Sequence, residues 1–201
     1  MKIFCIGRNY AEHAKELGNA VPDEPVVFIK PKTALIQGTT PLYYPQFSNE
    51  LHYEAELVLQ ICKNGKYIPE KFASKYYNQI TLGIDFTARD IQNQLKEKGL
   101  PWEKAKAWDN SAYIGKWKDI NTVKKPINFS LNLNNEQVQK GNSENMIFSF
   151  DKIISHISEY FSLNIGDMVF TGTPAGVGEC VVSDILTGFI EDEKMFEVEI
   201  K

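Results

Sequence analysis

Residues 51–59, with the sequence LHYEAELVL, constrain this chain more than any other stretch. They alternate polar and apolar residues and then continue as an aliphatic run, which predicts a strand that enters a core. Side chains two apart share one face of a strand, so His52, Glu54 and Glu56 are predicted to point the same way. Two carboxylates on one face repel each other and lose hydration unless a positive group lies between them. A hard divalent cation, which prefers oxygen ligands, would meet that requirement.

The alternative for a bare Glu-x-Glu pair is an exposed strand face with two solvated glutamates, and that is the commoner case. A third acid changes the balance. Asp85 lies in the apolar, strand-like segment 81–87 between Ile84 and Phe86, where a carboxylate needs a partner. Three converging carboxylates would form a Mg²⁺ or Mn²⁺ site with positions open to water or substrate. The sequence therefore favours a metal site.

Length and composition predict one domain spanning residues 1–201, long enough to bury a substantial core. The net charge of −4 and the isoelectric point near 5.5 argue against a nucleic-acid partner, which normally needs a basic surface. No apolar run approaches the roughly 20 residues that span a membrane. Three cysteines without close spacing predict neither a disulfide framework nor a zinc site. We therefore expect a cytoplasmic location.

Several ionisable residues are candidates for catalysis or substrate binding. His13 and Glu16 are three apart on a predicted short helix, and a carboxylate beside an imidazole makes a general base; the alternative is a surface ion pair. Lys106 lies among bulky aromatic residues, where its charge could stabilise an oxyanion or its stem could simply pack on a tryptophan. Lys30 ends a short predicted strand and could bind an anionic substrate or remain solvated.

Further candidates follow Asp85 and occupy the glycine-rich segment 172–178. Thr87 is predicted to cap a helix on which Arg89 and Gln92 lie three residues apart near the start. The glycine-rich segment has no Gly-Lys-Ser/Thr ending and opens no helix, which excludes a P-loop. Its backbone N–H groups and the hydroxyl of Thr173 could still hold a carboxylate.

Six blocks of this sequence together resemble the fumarylacetoacetate hydrolase family, and most closely its short branch, which includes acylpyruvate hydrolases and oxaloacetate decarboxylases. The blocks follow the order of the family and extend over nearly the whole chain. They are the GRNY of residues 7–10 with His13, the FIKP of 28–31, the HYEAE of 52–56, the DFTARD of 85–90, the GLPW of 99–102 with Lys106, and the TGTPAGVG of 171–178.

The resemblance implies an α+β, mainly β fold, in which a mixed β-sheet is rolled into a barrel-like core with short peripheral helices, and it implies a homodimer. It implies Mg²⁺ as the cofactor, with Mn²⁺ as the alternative. The implied metal ligands are Glu54, Glu56 and Asp85. The implied catalytic residues are His13 and Glu16, which orient a water, and Lys106, which stabilises negative charge. The implied substrate contacts are Arg8, Lys30, Arg89, Gln92 and Thr173.

The function that the resemblance implies is Mg²⁺-dependent hydrolysis of the C–C bond of acylpyruvates through an enolate, and the His13–Glu16 pair favours it. Decarboxylation of oxaloacetate gives the same enolate on loss of CO₂, and an isomerase or tautomerase forms it by loss of a proton. A non-catalytic protein that binds a metal and a 2-oxo acid is a further alternative. The sequence departs from the family after Lys106, where Trp108 and Tyr113 are expected to narrow the pocket or only to repack its wall.

Overall fold

The computed structural model describes residues 1–12, 21–36 and 40–201. Within these ranges, short strands predominate and the helices are few and short. The helices are α1 (Arg89–Glu97), α2 (Glu103–Lys106) and α3 (Phe150–Tyr160), and the 3₁₀ segments are Lys32–Ala34, Glu70–Lys75, Ile120–Thr122 and Ser143–Asn145. The strands are β1 (Ile3–Gly7), β2 (Val26–Lys30), β3 (Leu51–Tyr53), β4 (Ala55–Ile61), β5 (Tyr77–Asp85), β6 (Thr87–Ala88), β7 (Ala112–Ile114), β8 (Lys118–Asp119), β9 (Asn128–Leu133), β10 (Glu136–Asn142), β11 (Met168–Phe170), β12 (Gly178–Glu179), β13 (Ile185–Ile190) and β14 (Glu193–Glu199).

The largest sheet of the described chain contains seven strands in the order β2-β1-β11-β4-β5-β7, with β8 beside β5. β1 and β11 are parallel, and the other neighbours are antiparallel, so the sheet is mixed. The apolar residues of β1, β4 and β5 are buried, as near-continuous hydrophobic strands require. The predicted α+β, mainly β fold with a curled mixed sheet is confirmed.

A second sheet, in the order β10-β9-β13-β14, packs against the first. Gly188 of β13 shows how closely the layers approach, because an added Cβ would lie 2.3 Å from Phe196 and 2.8 Å from Leu82 of β5. Asn134 and Asn135 join β9 to β10 with positive φ angles, which asparagine tolerates and which suit a tight hairpin. The core lies between the two layers, and α3 covers it with Ile153, Ile154 and Ile157.

A small sheet, β12-β3-β6, sits where β3 leads into β4 and where β5 leads into β6. It pairs His52 with Thr87 and Leu51 with Ala88. The segment that leads to Glu54 and the segment that follows Asp85 are therefore held side by side. In the described part of the chain, no helix has the length and apolar character needed to cross a membrane. The junction between this small sheet and the largest sheet is where the candidate site is built.

Candidate active site

Strand pairing brings three carboxylates together. In the antiparallel pair β4–β5, Glu56 lies opposite Gly83, and the backbone N–H of Asp85 donates to the carbonyl oxygen of Glu54 across 2.9 Å. Glu54, Glu56 and Asp85 are all buried, and an oxygen from each lies within 4.8 Å of the others. The structure therefore brings together the three residues that the sequence predicts as metal ligands.

The predicted strand over residues 51–59 is interrupted at Glu54, where β3 ends and β4 begins. The change of partners explains the break, because β3 pairs with β6 and β12 whereas β4 pairs with β5 and β11. His52 consequently stays outside the carboxylate cluster: its Nδ1 accepts from Arg89 and its Nε2 faces Glu50 at 3.0 Å. Burial, and then the charge of Arg89, lower the pKa of His52, and Glu50 opposes that shift.

Lys106 lies between two of the carboxylates. Its Nζ is 2.8 Å from Oε2 of Glu54, 2.8 Å from Oδ2 of Asp85 and 2.6 Å from Oγ1 of Thr87. Burial opposes the charge of this ammonium, but Asp85 and Glu54 outweigh burial and raise the pKa of Lys106. Because the side chain is 4% exposed, the alternative of a lysine that merely reaches solvent along a tryptophan is excluded.

Lys30 lies behind the cluster and is fully buried. Its Nζ pairs with Oδ1 of Asp85 at 2.7 Å, and it donates to the backbone carbonyl and the hydroxyl of Ser111 and to the carbonyl of Lys106. It is not among the described residues that line the cavity. The substrate contact predicted for Lys30 is untested, and its position instead favours a role in orienting Asp85 and in anchoring the end of α2.

Thr87 performs a different task from the one predicted. The expectation that it caps the following helix is wrong, because α1 begins at Arg89 with Ala88 at the cap position and without a side-chain cap. The Thr87 hydroxyl instead donates to Oε1 of Glu54 at 3.0 Å while it accepts from Lys106. Sequence reasoning missed this role because the pairing of β3 with β6, and not the helix, places Thr87.

The first turn of α1 supplies another cation to the cluster. The guanidinium of Arg89 pairs with Oε1 of Glu54 at 2.6 Å and donates through Nη1 to the side-chain oxygen of Gln92. Arg89 and Gln92 are both buried, and both line the cavity described below. Both lie on the same cavity wall as Asp85, and Arg89 is also engaged with a carboxylate of the cluster.

Glu56 is held by the glycine-rich segment. The backbone N–H of Gly172 donates to Oε2 of Glu56 across 2.7 Å. Gly172 has a φ of +101°, and an added Cβ would lie 2.6 Å from Cβ of Asn9, so this position requires glycine. Thr173 lies on the cavity wall, where its hydroxyl accepts from Gln139 at 2.9 Å. The carboxylate that this loop holds in the structure is thus one of the protein's own.

The charge of the cluster fits a hard divalent cation. Among the described residues, Glu54 and Asp85 form ion pairs with cations, whereas Glu56 forms none. Burial, and then the charges of Asp85 and Glu54, raise the pKa of Glu56 well above its ordinary value. An all-oxygen donor set with one under-neutralised carboxylate is the chemistry that Mg²⁺ and Mn²⁺ bind. The three acids could therefore hold such an ion.

A cavity opens onto these carboxylates and onto Lys106. Five residues that sequence analysis did not name for substrate also line it: Ile6, Gly7, Phe28, Trp102 and Lys96. Lys96 could have been found from the sequence, because it lies seven residues after Arg89 and so on the same helix face. Of the predicted contacts, Arg8, Arg89, Gln92 and Thr173 lie on the wall. His13 and Glu16 lie outside the described residues.

Trp108 and Tyr113, the departures from the family pattern, do not line this cavity. Trp108 packs edge-on against Phe47, with ring centroids 5.6 Å apart, and Tyr113 packs against Phe196 at 5.3 Å. Both therefore pack against other aromatic residues of the fold. Among the described residues, neither side chain narrows the pocket. Their contacts agree with the alternative, in which they only repack the surrounding structure.

Comparison with known proteins agrees with the resemblance seen in the sequence. The family model for the fumarylacetoacetate (FAA) hydrolase C-terminal domain matches residues 2–201. Oxaloacetate tautomerase YcgM of Escherichia coli K12 is 40% identical over 189 residues, covering 92% of this chain and 86% of that protein. A mitochondrial oxaloacetate decarboxylase of Dictyostelium discoideum is 42% identical over 184 residues, covering 88% of this chain and 83% of that protein. The crystal structure of fumarylpyruvate hydrolase from Pseudomonas aeruginosa in complex with Mn²⁺ and pyruvate has a TM-score of 0.93 and 37% identity, covering 100% of this chain and 89% of that one. The chain thus belongs to the fumarylacetoacetate hydrolase family of enzymes.

Proposed function

We propose that this protein is a metal-dependent enzyme that acts on small 2-oxo acids by stabilising their enolate, and that its principal reaction interconverts the keto and enol forms of oxaloacetate. The observation that carries the proposal is the position of Lys106, whose ammonium is held between buried carboxylates on the wall of the cavity. The similarity to an oxaloacetate tautomerase over 92% of the chain supports the choice of reaction.

In this proposal Glu54, Glu56 and Asp85 hold the metal ion. We propose Mg²⁺, and Mn²⁺ suits the same oxygen donors. A divalent cation bound there supplies electrophilic polarisation of the 2-oxo group. Lys106 supplies a second positive charge that the protein has already fixed in place, so stabilising a developing oxyanion requires little reorganisation. Lys30 keeps Asp85 oriented by its ion pair of 2.7 Å.

The tautomerisation needs only a proton shift: C3 loses a proton, and the 2-oxo oxygen gains one. The similarity to an oxaloacetate tautomerase supports it ahead of hydrolysis. Removal of the C3 proton needs a base, and hydrolysis needs a base that activates water. That base is predicted to be His13 with Glu16, which lie outside the described residues. The geometry therefore supports the enolate step that the two reactions share.

Acylpyruvate hydrolysis is the second candidate, with oxaloacetate decarboxylation as a related activity. In an acylpyruvate, water attacks the acyl carbon, its bond to C3 breaks, and the electron pair remains on the pyruvate enolate. The likeness to a fumarylpyruvate hydrolase structure with Mn²⁺ and pyruvate favours this candidate. The similarity to an oxaloacetate decarboxylase favours loss of CO₂.

The proposal is tested by following the ultraviolet absorbance of enol-oxaloacetate as it converts to the keto form, with Mg²⁺ and with EDTA. Pyruvate release from oxaloacetate and from acetylpyruvate is measured side by side. Blanks with metal and no protein are subtracted, since metal ions catalyse these reactions alone. We expect metal-dependent loss of the enol form that is faster than pyruvate release. Faster pyruvate release from acetylpyruvate would instead establish the hydrolase.

Asp85→Asn tests the metal site. We expect the metal-dependent rate to fall at least about a hundredfold, the upper range seen when groups supporting a metal are removed. Asp109→Asn, at an exposed acid, is the matched control and should keep the rate of the parent protein. An Asp85→Asn variant as active as the control would contradict the metal assignment. Tight metal-dependent binding of oxalate without turnover of any substrate would support a binding protein instead.

Three predictions from the sequence accompany this proposal. We propose that residues 1–201 form a single catalytic domain, that two chains form a homodimer, and that the protein acts in the cytoplasm. Light scattering on a sizing column measures the second of these, since a homodimer has twice the chain mass of 22.9 kDa. A mass of one chain would contradict the dimer.

A further inference from the structure

Helix α1 presents three polar side chains to the cavity at successive turns. Arg89, Gln92 and Lys96 are spaced by three and four residues, so they share one helix face. The first two are buried and bonded to each other, and Arg89 also pairs with Glu54. Lys96 is half-buried one turn further along and lines the same cavity. It therefore belongs to the wall, at a greater distance along the helix from the carboxylate cluster.

Arg8 lies on the same wall. It follows β1 with a φ of 60°, a left-handed conformation that side chains other than glycine, asparagine and aspartate rarely adopt. Such strain persists where the surrounding structure imposes it, and it concentrates at functional sites. Burial, and then the charges of Arg8 and Arg89, lower the pKa of Lys96. Arg8 and Lys96 therefore line one cavity with like charges.

Neither of these two cations is paired directly with a described acid. Within residues 1–12, 21–36 and 40–201, neither Arg8 nor Lys96 forms an ion pair or a hydrogen bond to a carboxylate. Arg89 and Lys106, by contrast, are both paired with acids of the cluster. The described residues of the cavity wall include four cations and three acids, and a divalent cation on those acids would add two further positive charges. The wall as a whole therefore matches a ligand with more than one negative group.

We propose that Lys96, together with Arg8, binds the second carboxylate of a dicarboxylic 2-oxo acid and so makes the enzyme select dianionic over monoanionic substrates. This inference rests on the proposed function, because it assigns the 2-oxo carboxylate to the carboxylate–lysine end of the cavity. The cost of bringing two cations together is offset when a carboxylate lies between them. Lys96 then acts in substrate selection, and the enolate step remains with Lys106.

The test compares oxaloacetate with 2-oxobutanoate, a four-carbon 2-oxo acid without the second carboxylate. NMR measures the enolisation of 2-oxobutanoate as the exchange of its C3 hydrogens for deuterium in ²H₂O. The enol absorbance measures the tautomerisation of oxaloacetate. The variants are Lys96→Met and Lys96→Arg. Lys98→Met, an exposed lysine just after the same helix, is the matched control.

We expect Lys96→Met to raise KM for oxaloacetate about ten- to hundredfold, the range for losing a hydrogen bond to a charged group, with kcat little changed. The same variant should keep the KM for 2-oxobutanoate within about twofold of the parent value. Lys96→Arg should restore much of the affinity for oxaloacetate. Calorimetric binding of oxalate to the Mn²⁺-loaded protein should be unchanged, since oxalate has no second carboxylate beyond the pair that the proposal assigns to the carboxylate–lysine end of the cavity. Equal losses for both 2-oxo acids, or a Lys96→Met variant that matches Lys98→Met, would overturn the assignment.

A failure of the proposed function gives a different result. If neither 2-oxo acid is enolised, the second carboxylate site is tested by binding alone, with calorimetric affinities for the Mn²⁺-loaded protein. Oxaloacetate should still bind more tightly than 2-oxobutanoate, and Lys96→Met should remove that difference. Equal affinities in the parent protein would reject the second carboxylate site.

Discussion

Replacing Lys106 by methionine should destabilise the metal-free protein strongly. The ammonium lies 2.8 Å from both Glu54 and Asp85, and all three side chains are buried. Its removal leaves one carboxylate charge of the cluster without compensation, and breaking such a buried pair costs about 3–5 kcal/mol. For a chain of this length each kcal/mol lowers Tm by about 2–4 °C. We therefore expect Lys106→Met to lower Tm in EDTA by about 6–20 °C.

Metal should reverse much of that loss. Because Glu54 and Asp85 would no longer share their oxygens with an ammonium, Mg²⁺ should bind the variant more tightly than the parent protein. Ligand at a hundred times its Kd adds about 2.7 kcal/mol of stability, so Mg²⁺ should raise Tm more in the variant. Thermal and urea unfolding with EDTA and with Mg²⁺ measure both effects. Turnover should remain low even with metal, because the fixed charge beside the oxyanion is gone.

Lys104→Met provides the control for this comparison, since Lys104 is exposed on the same short helix α2. It should unfold like the parent protein in both conditions. A Lys106→Met protein as stable as this control in EDTA would refute the reasoning, because it would mean that the carboxylates do not need the ammonium. Equal stabilisation of both variants by Mg²⁺ would refute the competition between ammonium and metal.

Two other predictions follow from the site. Gly172→Ala should cost about 2–6 kcal/mol, the sum of left-handed strain and a 2.6 Å approach to Asn9. It should also weaken Mg²⁺ binding by displacing the N–H that holds Glu56. Gly166→Ala, with a φ of +86° and open space around it, isolates the strain, so equal unfolding free energies of the two variants would contradict the close approach. The affinity for oxaloacetate should decline as the pH rises through the lowered pKa of Lys96, since binding needs the protonated amine. This decline should be missing when the affinity of Lys96→Met is measured against pH. A decline that persists in the variant would belong to another group.

The sequence predicts the donor residues of the site better than the chain geometry that joins them. Glu54, Glu56 and Asp85 stand out because acids within apolar runs need partners, and the structure brings all three together. The continuous strand inferred for residues 51–59 is divided at Glu54. Alternation of polar and apolar residues records which face a side chain takes, but it does not record that the strand changes its pairing partners.

The roles of the lysines show a second limit. Local sequence does not distinguish a buried lysine from a solvated one, because the difference depends on partners that lie far away in the chain. Lys30 contacts the carbonyl of Lys106, 76 residues away, and pairs with Asp85, so its place behind the cluster follows from sheet topology. Strand pairing likewise turns Thr87, predicted as a helix cap, into a partner of Glu54.

The position of Lys96, in contrast, can be predicted from local sequence, because helical spacing places residues several positions apart on one face. Once residues 89–97 are recognised as helical, the spacing of Arg89, Gln92 and Lys96 places all three on one face without any knowledge of the sheet. Whether that face meets the cavity still depends on the first of them, which pairs with Glu54 and so fixes the rotation of the helix. A single long-range contact therefore determines where Lys96, the other cation of α1, lies, and the inferred second carboxylate site follows from that one ion pair together with helical periodicity.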